Sequence, residues 1–185
     1  APATQNLAFL DKYFYDGAVS FLNMVPNLPI HDENEMDETI PNIIQKLKQD
    51  KDYKKLFSLA FDEEDINSTN MMKALAQFMT IMVSSNSKYD KFVRNEDNVT
   101  FTSKETQGRQ LFNDKCASCH ATDLFTDNKF RNNGLPLNPN INDLGRAEVS
   151  GLDEDINKFK VPSFRNVELT APYMHDGRFG TLTSV

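Results

Sequence analysis

Cys116-Ala117-Ser118-Cys119-His120 is the stretch on which the reading of this 185-residue chain turns, and it holds the only two cysteines. A cross-link over two intervening residues closes too short a loop to stabilise a fold, so both thiols are assigned to local chemistry. The string C-x-x-C-H is the attachment signature of a c-type haem. Two thiols three positions apart on a helical turn reach the two vinyl groups of a porphyrin and form thioethers. The histidine that follows is then held beneath the iron as proximal ligand. Three other chemistries compete. A zinc site needs further ligands, and only His31 and His175 remain. A thioredoxin-like C-x-x-C calls for a βαβ setting that the sequence pattern lacks. A reversible disulfide would add little.

Outward from the motif, Thr102-Ser103-Lys104-Glu105 spells a capping box. It opens a helix that carries Gly108, Leu111 and Phe112 into Cys116. Upstream, Ile40, Ile43, Ile44 and Leu47 share one face of a helix over 38–49. Thr39 is its candidate N-cap and Pro41 sits in its first turn. Tyr53, Leu56, Phe57 and Ala60 predict a short helix over 52–60. The most apolar segment, 68–84, predicts a core helix capped by Ser68 or Thr69, with its methionines as packing rather than ligands. Residues 86–101 read as a polar connection. Residues 121–160, rich in Asn, Asp, Gly and Pro, read as a long ordered loop.

Composition sets the outer limits. The formal charge of −7 and pI near 5.0 argue against nucleic acid or anionic lipid as a partner. Mean hydropathy is −0.54, and no apolar run approaches the roughly 20 residues of a bilayer span. Fourteen Phe and seven Met are enough apolar bulk for a core. The opening APATQNLAF lacks the basic start and apolar run of a signal peptide.

An internal repeat organises the rest. Residues 1–22 align without gaps to 161–182. Pro2, Asn6, Tyr13, Asp16, Gly17 and Leu22 match Pro162, Asn166, Tyr173, Asp176, Gly177 and Leu182. Leu7, Phe9 and Phe14 keep their character in Val167, Leu169 and Met174. The offset of 160 residues places the counterpart of Cys116 upstream of Ala1. The expectation is therefore part of a longer, two-lobed protein: 1–100 the remainder of an N-terminal lobe, 101–185 most of a C-terminal haem lobe.

With these residues assembled, the chain resembles the dihaem bacterial cytochrome c peroxidases and their methylamine-utilisation relatives. The resemblance rests on Gly108-x-x-Leu111-Phe112 ahead of the haem motif, then on Leu124–Asp127 and Phe130–Leu135. Phe159–Val167 and Leu169–Gly177 complete it, with weaker matches at Asn34-Glu35-Met36, Ala74–Phe78 and Asn86–Asp90. It implies an all-α, cytochrome c-like fold, duplicated into two lobes with long ordered loops. It also implies a periplasmic enzyme that reduces hydrogen peroxide, with two haems c in the full-length protein. Electrons would come from a small donor protein, a cytochrome c or a cupredoxin, through the C-terminal haem on Cys116, Cys119 and His120. The axial methionine of that haem is expected beyond residue 185, with Met174 packing beside the haem. A homodimer is compatible, and the stretch present is expected to be inactive alone. A c-type electron carrier and a dihaem oxidase of a partner protein are the alternatives.

The resemblance also assigns residues. Glu35 matches the acid beside the peroxidatic iron, which would move a proton between the peroxide oxygens; an ordinary exposed glutamate is the competing reading. Tyr15 stands where the family has a tryptophan between its haems, and this chain has no Trp. Thr170 and Pro172 match carbonyl ligands of a Ca²⁺ between the lobes. From their chemistry, Arg131 and Arg165 suit haem propionates. His175, the repeat partner of Tyr15, is either a contact at the haem edge or a structural histidine. His31 reads as a solvated loop residue.

Overall fold

The computed structural model describes residues 3–61 and 65–185. Seven α-helices run through these residues: α1 (Asn27–His31), α2 (Ile40–Gln49), α3 (Lys51–Phe61), α4 (Ser68–Ile81), α5 (Lys88–Val93), α6 (Ser103–Lys115) and α7 (Ala147–Ser150). Two short strands, β1 (Phe130–Arg131) and β2 (Phe159–Lys160), pair antiparallel with Phe130 opposite Lys160 and Arg131 opposite Phe159. The fold is therefore helix-rich but not purely helical. The long segment 121–160 departs from irregular loop by contributing both strands and α7.

Helix α4 is the spine of the N-terminal half. Met71 and Met72 pack with Ile30 against Ile40, Ile43, Ile44 and Leu47 of α2 and Phe57 of α3. One end further on, Met79 packs on Leu7 and Tyr13. The methionine stripe is packing, as its spacing predicts. Asn67, rather than Ser68 or Thr69, caps α4: its side chain accepts from the Asn70 amide at 3.0 Å. Thr39 caps α2 as expected. Helix α5 lies within the polar stretch read as a plain connection. Ser87 and Asp90 form a reciprocal capping box there, with Asp in place of the longer Glu or Gln.

The sequence repeat is also a repeat of backbone geometry. Asn6 and Asn166 both adopt left-handed φ, 61° and 58°, each ahead of a single 3₁₀ turn, Leu7–Phe9 and Val167–Leu169. Tyr13 bridges to Val19 and Tyr173 to Phe179. The Tyr13 and Tyr173 hydroxyls donate back to the carbonyls of Leu7 (3.3 Å) and Val167 (2.8 Å). Gly17 and Gly177 have φ of 72° and 68°, which only glycine adopts freely. At Gly17 the constraint is double, because a Cβ there would collide with the Phe130 ring. Pro2, the partner of Pro162 in the alignment, lies outside the described residues.

The two copies meet at Ser84. The Asn6 side chain accepts from the Ser84 amide at 2.9 Å, and the Arg165 guanidinium donates to the Ser84 carbonyl at 2.9 Å. Gln5 donates to the carbonyl of its own repeat counterpart, Arg165, at 3.3 Å. Arg165 closes on Asp90 through two hydrogen bonds, at 3.0 and 2.7 Å, and donates a further one to the Asp123 carbonyl at 2.7 Å. Both side chains of the pair are only 7% exposed.

This pair generates a stability prediction. Removing one partner of a buried ion pair leaves the other desolvated and uncompensated, at a cost of about 3 kcal/mol or more. Arg165→Met should lower the unfolding free energy by that order, measured by urea denaturation. Arg165 holds the Asp90 carboxyl well below the usual range. A depressed carboxyl contributes stability that is full above its unfolded value of about 3.9 and is lost as pH falls towards its folded value. Stability lost below about pH 4 should accordingly be smaller in Arg165→Met than in the parent protein.

Candidate haem site and adjoining clefts

Helix α6 delivers the two thiols. Thr102 and Glu105 form the expected capping box at its start, and Cys116 is its C-cap. The chain then winds one further turn: the Cys119 and His120 amides both donate to the Cys116 carbonyl, at 3.1 and 2.9 Å. Both thiols are free and half-buried.

The loop after His120 is closed by side chains. The Thr126 and Asp127 amides return to the carbonyls of Ala121 (2.8 Å) and Cys119 (3.0 Å). Thr126, 2% exposed, donates its hydroxyl to the Val161 carbonyl at 2.5 Å. Ser163 donates to the Leu124 carbonyl, also at 2.5 Å. These two bonds fasten the motif to residues 161–164, the start of the second repeat copy.

His120 is oriented by this frame. Its Nδ1 lies 3.0 Å from the Phe125 carbonyl, which can only accept, so Nδ1 carries the proton and Nε2 keeps its lone pair. The ring stacks on Phe164, centroids 3.5 Å apart at 20°. Burial draws the imidazole pKa down, while the carbonyls of Phe125 and Pro162 and the Asp127 charge oppose that shift. The neutral imidazole is the form that binds a metal. Phe112 meets both Phe125 and Phe164 edge-on, giving an apolar wall beside the thiols. Two free thiols one turn apart, a histidine with its tautomer fixed and an aromatic wall fit a covalently attached haem.

The other expected residues fall into three settings. Arg131 is half-exposed and pairs with Asp127, two residues past the haem loop's Phe125. Arg165 is engaged by Asp90, Ser84 and Asp123. His175 lies flat on Phe159, centroids 3.7 Å apart at 9°. His31 ends α1, exposed, with Nδ1 2.8 Å from the Asn27 carbonyl.

Two clefts open elsewhere in the described structure. One, of about 300 Å³, is lined by Glu35, Tyr15, Asp32, Pro29 and Asp143 among others. The second, of about 490 Å³, is lined by Tyr15, Thr170, Pro172, Met174 and His175 among others. Tyr15 belongs to both, and burial pushes its phenol pKa up. Asp176, on the second cleft, is drawn down to about 2, chiefly by Arg178. No group of three His, Cys, Asp or Glu among the described residues is arranged to hold a metal ion. The clefts were not legible in the sequence, because they join loops 15, 35, 143 and 170 that only the fold brings together.

Comparison with known proteins agrees with this chemistry. The family model described as di-haem cytochrome c peroxidase matches residues 1–98. The chain is 33% identical over 190 residues to the methylamine utilization protein MauG of Methylophilus methylotrophus, covering 100% of this chain and 55% of that protein. It is 32% identical over 189 residues to the cytochrome c peroxidase Ccp of Escherichia coli K12, covering 98% of this chain and 40% of that one. The crystal structure of a MauG-like protein associated with microbial copper homeostasis superposes with a TM-score of 0.89 at 26% identity, over 100% of this chain and 60% of that chain. The chain thus spans about half the length of the curated relatives it matches.

The site makes a direct prediction. Cys116→Ala and Cys119→Ala together should abolish covalent haem, read as loss of the haem increment in the intact mass and of the pyridine haemochrome. His120→Ala should keep the thioethers while changing the axial-ligand spectrum.

Proposed function

The chain belongs to the di-haem cytochrome c peroxidase family, and from that premise we propose that it is part of a periplasmic enzyme that reduces hydrogen peroxide to water. Each turnover consumes one peroxide, two electrons and two protons and releases two waters. Residues 1–100 are read as belonging to the lobe where peroxide reacts, and residues 101–185 as the haem lobe that accepts electrons. Two haems c in the whole protein would supply one-electron exchange at iron.

The observation that supports peroxide chemistry most is the first cleft, which brings Glu35 and Tyr15 to one cavity although 20 positions separate them. In this reading Glu35 takes the proton from one peroxide oxygen and returns it to the other, so that the departing oxygen leaves as water rather than hydroxide. Tyr15 walls the cleft and reaches the second one, on the side of His175 and Met174. Cys116 and Cys119 anchor the electron-accepting haem, and His120 holds it from below with Nε2. Arg131 and Arg165 are read as propionate contacts, each also paired with a carboxylate, Asp127 and Asp90. Thr170 and Pro172 line the second cleft, where backbone carbonyls suit a Ca²⁺. A cytochrome c or cupredoxin is the electron donor in this scheme.

No helix among the described residues is long and apolar enough to cross a membrane. The periplasmic assignment rests instead on c-type attachment, which needs exported, reduced thiols and dedicated machinery.

The test uses the full-length, haem-loaded protein with a reduced small donor. Glu35→Gln should lower peroxide-dependent donor oxidation by about 100-fold or more, the usual worth of a positioned acid–base group, with haem content unchanged. Peroxide turnover equal in Glu35→Gln and parent would remove Glu35 from the mechanism. No turnover in the fully loaded parent would leave an electron carrier, or an oxidase acting on a partner protein.

A further inference from the structure

Lys160 is the one lysine among the residues buried in the described structure, 9% exposed, and its ammonium has no hydrogen-bond or ion-pair partner among the described residues. Its backbone is fixed at both ends. Its amide donates to the Tyr15 carbonyl at 2.7 Å, and it sits opposite Phe130 in the β1–β2 ladder. Phe130 in turn packs on Gly17 and carries the Arg146 guanidinium over its ring at 4.7 Å. Lys160 is thus held where the first repeat copy meets the second.

The charges around it are already spent. Arg131, beside its ladder partner, is paired with Asp127, and Lys158, just ahead of its strand, is paired with Asp155. Arg146 donates to the Asp16 and Gly17 carbonyls. Lys129 is an exposed cation and Tyr15 is held protonated by burial. Asp11 acts on the ammonium only at a distance and is itself exposed. No carboxylate of the described residues closes on Lys160. An unpaired buried ammonium is costly, by several kcal/mol in general, unless an anion meets it or it loses its proton.

We propose that the ammonium of Lys160 receives a propionate of the haem borne by Cys116, Cys119 and His120. This rests on the haem reading above. Lys160 precedes Pro162 by two residues, at most about 7 Å of backbone, and the Pro162 carbonyl acts on the His120 ring. The lysine side chain extends its ammonium beyond that backbone distance. The haem brings in two carboxylates, and the site offers a buried cation without a partner among the described residues, the setting in which a single charged hydrogen bond is strongest.

The test begins with the pyridine haemochrome of the full-length protein, which settles haem attachment separately from the role of Lys160. In loaded protein, Lys160→Met should lower the midpoint potential of the His120 haem, because a nearby cation favours the less positive ferrous state. It should also move the propionate bending mode in the resonance Raman spectrum to lower frequency, and Lys160→Arg should restore both. Lys160→Gln keeps length and a donor without charge; it guards against a folding failure of the methionine variant, and should lower the potential as well. Asp11→Asn should leave the Raman mode in place. A potential that falls while the propionate mode stays put would place the ammonium away from the carboxylate and overturn the proposal. Unchanged potential and unchanged mode in loaded Lys160→Gln would overturn it as well.

Discussion

The hydroxyl of Thr126 donating to the Val161 carbonyl is the contact on which the functional geometry depends. Residues 116–127 contain both thiols and the histidine, but by themselves they form only a wound turn. A loop of that length with two left-handed residues, Thr122 and Phe125, has many alternatives of similar energy. Thr126, almost fully buried, removes them by tying the loop to the run that starts the second repeat copy. The bond has two consequences at once. It sets the Phe125 carbonyl that fixes the His120 tautomer, and it brings Phe164 flat against the imidazole. One short side-chain bond thereby couples the cofactor motif to a segment 35 residues away.

The same second-copy segment is the hub for the rest of the molecule. Arg165, one residue after Phe164, reaches Asp90 at the start of α5, Ser84 beyond α4 and Asp123 in the haem loop. Asn6, from the first copy, meets the same Ser84. The repeat therefore does more than duplicate a turn. It puts two equivalent corners against one serine, so that α4, which carries the N-terminal core, and the haem loop are referenced to a single point. The core itself is thin. No hydrophobic residue among the described ones is less than 2% exposed, and Leu59, Ile81 and Leu169 stand largely open. In such a structure polar clamps and an aromatic wall carry positional accuracy that a thicker apolar core would otherwise supply.

The sequence made the site more legible than the fold around it. Cys116, Cys119 and His120 were readable because covalent haem attachment demands fixed spacing within five residues. Helices α2, α4 and α6 were readable because their apolar periodicity or capping boxes are local. Helix α5 escaped because Lys88–Val93 is polar and its capping box uses Asp90, whose other task, binding Arg165, is a contact 75 residues distant. The ladder between Phe130 and Lys160 escaped for a similar reason: two-residue strands carry no alternation to detect. Arg165 shows the limit of reading a side chain from its type. A guanidinium beside a haem motif suits a propionate, and only the fold reveals that a buried carboxylate also engages it. The repeat was visible because Tyr13, Asp16 and Gly17 recur at fixed offset, and each has a backbone reason to do so.

Tyr15 is where the sequence departs from the tryptophan that the resemblance leads one to expect, and the structure limits what the replacement can do. The phenol lines both clefts, yet it makes no hydrogen bond among the described residues and burial raises its pKa. Oxidising a tyrosine side chain expels its phenolic proton, so a tyrosine that hands on an electron as a radical needs a base within hydrogen-bond reach. None of the described side chains fills that place. Asp16, its neighbour, is occupied with the Ala18 amide at 3.0 Å. The aromatic ring can still shorten the path between the clefts as a packed, neutral medium. Among the described residues, Tyr15 thus offers a packed aromatic ring shared by the two clefts, with no side-chain base to take its proton.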